Sequence, residues 1–71
     1  MPASPAPFGL LTDREAQVIL LLADGLSNQE IAAKLVISEN TAKTHVRHVF
    51  DKLDAKDRLQ AVKRAKELKL L

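Results

Sequence analysis

Apolar side chains recur at steps of three and four residues along four stretches of this chain, and each stretch follows a residue that can begin a helix. The pattern predicts an all-α fold of four helices, over about residues 13–24, 28–35, 39–53 and 58–69. Residues 10–71 are expected to form the folded domain. Residues 1–9 contain three prolines and no charged side chain, a composition typical of a flexible tail or the end of a linker.

The residues at the predicted helix starts can accept hydrogen bonds from the free backbone amides of the first turn. They are Thr12 with Glu15, Ser27 with Glu30, Ser38 alone, and Asp57 with Gln60. Ser27 and Ser38 stand eleven residues apart, so only a short bend separates the second helix from the third. This spacing predicts a helix-turn-helix.

The inward-facing positions of these helices are expected to be almost all aliphatic. They are Val18, Ile19, Leu22 and Ala23 in the first helix, Ile31 and Ala32 in the second, Ala42, His45, Val46, Val49 and Leu53 in the third, and Ala61, Val62, Ala65 and Leu68 in the fourth. The bend at residues 35–37 is also apolar, so we expect it to be partly buried. Leu20 and Leu21 make the first helix more apolar than a half-exposed helix needs to be, and either could cover a neighbouring domain.

The ends of the first and third helices differ in whether a glycine follows them. Gly25 follows the first helix and can take the left-handed conformation that ends it. Asp54 follows the third helix, where no glycine is present, so we expect local strain or an altered exit there.

The side of the third helix opposite its apolar stripe is polar. Its residues are Asn40, Lys43, Thr44 and Arg47. Each can hydrogen-bond base edges or phosphates, no acidic residue interrupts the face, and the face lies near a helix N-terminus, whose partial positive charge favours phosphate. On an isolated helix such a face is more often simply solvated. Behind a helix-turn-helix bend it predicts a helix that reads DNA.

Charge and composition narrow the classes of protein. The net charge of this 71-residue chain is +2, but residues 1–38 carry two bases and four acids whereas residues 39–71 carry nine bases and five acids. The positive charge therefore lies in the half that contains the third helix. The absence of cysteine excludes disulfides and thiolate metal sites. No apolar run approaches the roughly 20 residues that span a bilayer, so a soluble, cytoplasmic protein without a membrane partner is expected.

The motifs along residues 11–53 resemble those of a known family. They are Leu-Thr-x-Arg-Glu, Gly-Leu-Ser-Asn, Glu-Ile-Ala, Ile-Ser, Thr-x-Lys-Thr-His and Lys-Leu, at matching spacings. The chain is similar, from about Leu11 to Leu68, to the LuxR-type (GerE-like) helix-turn-helix domain of bacterial transcription regulators. The resemblance implies sequence-specific binding of double-stranded DNA, with the third helix in the major groove and RNA polymerase as a further candidate partner.

The resemblance also implies roles for particular residues. Base contacts correspond to Lys43, Thr44 and Arg47. Phosphate contacts correspond to Ser27, Asn28, Asn40, Thr41 and His48. A homodimer on paired half-sites would form through the fourth helix, at Leu59, Val62, Lys63 and Lys66. The chain departs from the family pattern at Ala42, usually Val, and at Asp54, usually Gly; the first change could seat the third helix less firmly or move it toward the core.

Metal binding, catalysis and protein docking are the alternatives to DNA binding. His45 and His48 could form a pair of metal ligands, but a zinc site needs about two more ligands, so we expect no metal and no cofactor. Glu15 and Glu30 have the positions of capping residues and no nucleophile accompanies them, which argues against an enzyme. The remaining alternative is a protein-interaction module that docks an acidic partner on the basic face or on the fourth helix.

Overall fold

The computed structural model describes residues 11–71. They form four helices, α1 (Asp13–Ala23), α2 (Asn28–Leu35), α3 (Glu39–Leu53) and α4 (Arg58–Glu67). The all-α prediction is confirmed, and α2 and α3 have the predicted bounds. Helix α4 ends at Glu67, two residues before the predicted limit. The tail predicted at residues 1–9 lies outside the described residues.

The helix starts are those that the sequence predicts. Thr12 Oγ1 accepts from the Glu15 amide at 3.1 Å, and Glu15 Oε1 accepts from the Thr12 amide at 2.9 Å. Ser27 and Glu30 form the same reciprocal pair at 3.2 and 2.8 Å. Both capping boxes are therefore present, and each satisfies backbone donors that have no partner inside the helix.

The two later starts use single caps. Ser38 Oγ accepts from the Thr41 amide at 3.1 Å, and Asp57 Oδ1 accepts from the Gln60 amide at 2.8 Å. The Gln60 side chain accepts from the Lys56 amide at 2.7 Å rather than from Asp57. The cap of α4 thus extends one residue further back than a capping box does.

All four helices described here end in the same way. Beyond each helix an amide donates to a carbonyl five residues earlier, as in a Schellman motif; the donor is the second residue past α2 and α3 and the third residue past α1 and α4. These bonds join Leu26 to Leu21, Ile37 to Ala32, Ala55 to Phe50 and Leu70 to Ala65. The residue before each donor is left-handed, and only Gly25 among them is a glycine; the others are Val36, Asp54 and Lys69. Each donor residue is apolar and packs against the core, so an apolar anchor accompanies every helix end.

The left-handed conformation of Val36 is unusual. Its φ is 57°, a region that is unfavourable for residues with a Cβ and most of all for branched ones. The side chain is 89% exposed, whereas Leu35 and Ile37 are half-buried against the core. The prediction that the apolar bend is partly buried is therefore right for its two outer residues and wrong for Val36. The left-handed turn carries Val36 outward while its neighbours pack.

The core is aliphatic and centred on α3, which packs against each of the other three helices. Its largest fully buried side chains are Ile19, Leu22, Ile31, Val18 and Val49. Ala42 is completely buried, so α3 lies close to its neighbours along that side. Ala23 was predicted to face inward but is exposed, because the core at the end of α1 is filled by Leu22 and by Leu26, which the helix-ending bond folds back.

One apolar side chain of α1 stays uncovered. Leu21 packs against the core, whereas Leu20 is 51% exposed and lines a shallow open groove with Leu35 and Lys34. Leu21 lines the same groove, so either leucine could still cover a neighbouring domain, and Leu20 is the more exposed of the two.

Replacing Val36 with Gly should stabilise the domain. Glycine adopts a positive φ without the cost of about 1 to 2 kcal/mol that other residues incur, and about half of this gain is offset by glycine's greater freedom in the unfolded chain. We expect the free energy of unfolding to rise by about 0.5 to 1 kcal/mol in urea denaturation.

Gly25→Ala is the matched control. A Cβ at this position would meet no atom within 4 Å, but the φ of Gly25 is +87°, so the change should lower the free energy of unfolding by conformation alone. If both variants shift stability in the same direction, strain at positive φ does not explain the turn.

Candidate nucleic-acid interface

The polar face of α3 is open to solvent. Lys43, Thr44 and Arg47 are exposed, as are Asn40 and Thr41, and the opposite side of the helix is buried through Ala42, Val46, Val49 and Leu53. His45 lies between the two sides and is half-buried. The predicted orientation of α3 is confirmed: its basic side faces outward and its aliphatic side faces the other three helices.

The hydroxyl groups of this face are partly engaged by the helix itself. Thr44 Oγ1 donates to the Asn40 carbonyl at 3.0 Å, so its proton is used and its methyl group and lone pairs remain for a ligand. Ser38 Oγ donates to Thr41 Oγ1 at 2.8 Å, which leaves the Thr41 proton unused in that bond. Thr41 can therefore donate to an anion, while Thr44 is better suited to apolar contact.

An acidic side chain does lie beside this face, contrary to expectation. Glu39 Oε2 is 3.9 Å from Lys43 Nζ, and about half of each side chain is exposed. The two residues are four apart on α3, so they are neighbours on the helix surface. The prediction that no acidic residue interrupts the face is correct for residues 40–47 but wrong at the N-terminal edge.

The predicted phosphate contacts on α2 lie at its N-terminus. Ser27 Oγ accepts from the Glu30 amide, which leaves the Ser27 hydroxyl proton for a ligand. The Asn28 side-chain oxygen is buried and has no hydrogen-bond partner among residues 11–71. The amide nitrogen of Asn28 is the donor end of the same group. Both side chains can thus offer donors at the positive end of a helix.

A buried carboxylate ties α1 to α3. Glu15 is 4% exposed, and its Oε1 accepts from Lys52 Nζ at 2.7 Å. His48 Nδ1 lies 3.9 Å from Glu15 Oε2, with about half of the His48 side chain exposed. The role of Glu15 as a capping residue is confirmed, and the same side chain also fixes the C-terminal half of α3 against the start of α1. His48 therefore stands between this carboxylate and solvent.

The environment of Glu15 shifts its acidity. Burial raises the pKa of its carboxyl group, but hydrogen bonds from Lys52 and from the Thr12 amide, together with the charge of Lys52, outweigh this effect, so the net pKa is lowered. The ionised carboxylate of Glu15 accepts the hydrogen bonds from Lys52 and Thr12, so ionisation of Glu15 stabilises the fold.

A second long-range bond positions the other end of the helix-turn-helix. The Arg58 guanidinium donates to the carbonyl of Leu26, so the first residue of α4 is bound to the loop that leads into α2. Asp54 and Arg64 form only a loose pair at 3.9 Å, with the Asp54 side chain almost fully exposed. The left-handed φ of 54° at Asp54 confirms the predicted strain at the exit of α3.

The structure divides the residues expected at a dimer interface. Leu59 is 79% exposed, and Lys63 and Lys66 are exposed on the same helix at steps of four and three. Val62 is half-buried and packs against the core of its own domain. Three of the four residues thus share an outer face of α4, and Val62 lies at its inner edge.

Metal-binding clusters and membrane-spanning helices are absent from the part of the chain that the structure describes. Over residues 11–71, His, Asp and Glu side chains nowhere gather in a group of three or more that could hold a metal ion. Each helix in that range is too short or too polar to cross a lipid bilayer.

Comparison with known proteins identifies the family. Residues 9–65 match the family model described as bacterial regulatory proteins, luxR family. The chain belongs to the LuxR family. Over 55 residues it is 49% identical to the response regulator protein VraR of Staphylococcus aureus, an alignment that covers 78% of this chain and 26% of VraR. The chain thus spans about a quarter of the length of this relative.

Solved structures agree with this assignment. The transcription factor GerE superposes with a TM-score of 0.80 at 35% identity, covering 87% of this chain and 92% of GerE. The response regulator ChrA, from a heme-sensing two-component system, superposes with a TM-score of 0.83 at 37% identity, covering all of this chain and 33% of ChrA. The helix-turn-helix of this chain is therefore a LuxR-type DNA-binding domain.

Sequence reasoning missed three interactions of this LuxR-type domain. The pair of Glu39 with Lys43 could have been found from their spacing of four on one helix. The bonds from Lys52 to Glu15 and from Arg58 to Leu26 join residues 37 and 32 positions apart, and no local pattern reports such pairs.

Lys52→Met should destabilise the fold most at neutral pH. The pKa of Glu15 is lower in the folded chain than in the unfolded one, so its charge stabilises the fold above about pH 4.3, and the contribution is lost as the pH falls through the folded-state pKa. Removing the donor leaves a buried carboxylate poorly paired, which should lower the free energy of unfolding by about 1 to 2 kcal/mol at pH 7.

The measurement is denaturation of both proteins at pH 7 and pH 3, where the difference between them should shrink. Lys56→Met is the control: the substitution removes the same charge, and Lys56 is exposed. An equal loss at both pH values would show that Lys52 acts through packing of its aliphatic stem alone.

Proposed function

We propose that this LuxR-type domain binds double-stranded DNA in a sequence-specific manner, with α3 in the major groove, as the output domain of a bacterial response regulator. One observation carries the proposal. Lys43 and Arg47 are exposed on α3 opposite a stripe that the other three helices bury. A helix held on its apolar side presents its polar side as a fixed surface, and the major groove of B-DNA admits such a helix.

The donors on this face have preferred partners among the bases. Lys43 and Arg47 donate to the O6 and N7 acceptors of guanine, the commonest specific contact of these side chains. Thr44 places its methyl group against the methyl group of thymine, because its hydroxyl proton is held by the Asn40 carbonyl. The face then reads bases through two cations and one apolar contact.

The residues around this face hold the phosphates. Thr41 and Asn40 donate from the first turn of α3. Ser27 and Asn28 donate from the start of α2, so the N-termini of two helices contact the DNA phosphates. His48 contacts a phosphate from the flank of α3. About half of its side chain is exposed there, with Nδ1 3.9 Å from Glu15 Oε2.

Two domains act together in this proposal. Leu59, Lys63 and Lys66 on the outer face of α4 meet the same residues of a second copy, and Val62 supports the contact from beneath. An exposed leucine on a short helix is suited to a two-fold interface, where each copy presents the same patch. The dimer then binds paired half-sites on the bacterial chromosome in the cytoplasm, and RNA polymerase is the further partner through which binding alters transcription.

A titration of duplex DNA at two salt concentrations tests the function. Selection from random duplexes supplies the preferred sequence, and a shuffled duplex of equal length is the comparison. Binding dominated by phosphate contacts should weaken steeply with salt, and the selected duplex should bind at least a thousandfold tighter than the shuffled one if the specificity is typical of regulators. A flat salt response without sequence preference would instead favour docking of an acidic protein.

Arg47→Ala should weaken binding to the selected duplex by about 1 to 3 kcal/mol and relax the preference at one base position. Loss of a phosphate contact alone would lower affinity for every duplex equally, so the measurement compares the selected duplex with single-base variants. Arg14→Ala is the control, because Arg14 is exposed on α1. Survival of affinity and preference in the double variant of Lys43→Ala with Arg47→Ala would mean that another face binds DNA.

Leu59→Asp should abolish binding to two adjacent half-sites and leave the monomer folded. An aspartate at the centre of a two-fold contact brings two like charges together, whereas in the monomer this side chain is 79% exposed and its loss removes little packing. Binding to a single half-site and to a paired half-site should be compared, with thermal denaturation as the check on folding. Undiminished binding to the paired site would place the interface elsewhere.

A further inference from the structure

Glu39 is the first residue of α3, directly after the N-cap Ser38. A carboxylate in the first turn is favourable beside the partial positive charge of the helix N-terminus, but that role does not require the carboxylate to lie beside Lys43. The Glu39 carboxylate lies 3.9 Å from the Lys43 ammonium, and with about half of each side chain exposed the pair contributes little to stability. Glu39, Lys43 and Arg47 follow one another at steps of four residues, so the carboxylate stands in line with the two cations proposed to read bases.

A carboxylate at this position opposes general attraction to DNA. Phosphates repel it, and the phosphate contribution supplies nearly all of non-specific binding. The donors that a carboxylate can meet in the major groove are the amino groups of bases, and the recurrent pairing is with N4 of cytosine. Glu39 is therefore unfavourable on random DNA and favourable only where an amino group faces it.

The pair of Glu39 and Lys43 matches the edge of one base pair. In the major groove a G·C pair presents the O6 and N7 acceptors of guanine next to the N4 donor of cytosine. Lys43 offers donors, and Glu39 offers an acceptor beside them. An A·T pair offers the lysine a single acceptor on its purine in place of two, so the match is poorer.

We propose that Glu39 is a specificity-determining residue: it accepts a hydrogen bond from N4 of the cytosine whose paired guanine is bound by Lys43, and it weakens binding to all other sequences. This inference rests on the proposed function and adds to it the identity of one base pair and the residue that rejects the alternatives. On DNA that lacks this G·C pair, Glu39 stays paired with Lys43 and keeps the lysine from a phosphate. On DNA that has it, the two side chains bind the two bases of that pair.

The experiment compares the wild-type chain with Glu39→Gln, Glu39→Asp and a control. Lys43→Ala first identifies the base pair that Lys43 reads, as the position at which the selected duplex loses its preference. Dissociation constants are then measured at two salt concentrations for three duplexes: the selected one, the same duplex with A·T at that position, and a shuffled one. Glu67→Gln is the matched control, since it makes the same charge change at an exposed site on α4.

We expect the wild-type chain to prefer G·C over A·T at that position by about tenfold. Glu39→Gln should reduce this preference to about twofold and bind the shuffled duplex about three to ten times more tightly, with a salt slope about one unit steeper because Lys43 gains a phosphate. Glu39→Asp keeps the charge but withdraws it by one methylene, so it should lose the preference while random DNA still binds weakly. Glu67→Gln should change affinity for all three duplexes alike.

Three results would overturn the proposal. The first is a Glu39→Gln variant that keeps its preference for G·C. The second is a variant that gains the same factor on all three duplexes, as the control does, because the carboxylate would then act only as bulk charge. The third is a wild-type preference for A·T where Lys43 binds. In each of these three results the wild-type chain still binds DNA, so only the role of Glu39 fails. If instead the wild-type chain shows neither salt-dependent binding nor a sequence preference, the proposed function fails as well.

Discussion

The outward face of α3 depends on the burial of the opposite side of the same helix. Ala42, Val46, Val49 and Leu53 pack against three neighbouring helices, and a helix bound along one stripe cannot rotate without exposing that stripe to water. The basic side chains are thereby fixed as a group. Small residues contribute to this closeness, since Ala42, Ala61 and Ala65 are completely buried and larger side chains there would hold the helix axes apart.

Polar contacts then fix the position of α3 relative to its neighbours. The ion pair of Glu15 with Lys52 connects the start of α1 to the C-terminal half of α3, and Arg58 connects α4 to the loop before α2. The ion pair is largely desolvated on its acidic side, so its geometry is specified more strongly than that of a pair at the surface. Glu15 also caps α1. One carboxylate thus sets both where α1 begins and where α3 rests.

The turns of this domain show that an apolar anchor can accompany a helix end without a glycine before it. Val36, Asp54 and Lys69 all adopt positive φ, and each is followed by an apolar residue whose amide completes the helix end and whose side chain packs against the core. Burial of that side chain offsets the backbone strain of the residue before it. Asp54 therefore takes the left-handed turn for which the family pattern uses glycine.

The sequence by itself determined the four helices, their starts and the outward side of α3, because capping and periodic burial act over three to seven residues and are written in the local pattern. It also placed Lys43, Thr44 and Arg47 on one face. Only the tertiary structure decided that Val36 and Ala23 are exposed, that Val36 and Lys69 are left-handed as Asp54 is, and that Glu15 meets Lys52 and His48. These features depend on how helices distant in sequence pack together. Exposure and pairing across a core are properties of the assembled packing, and no short segment carries them.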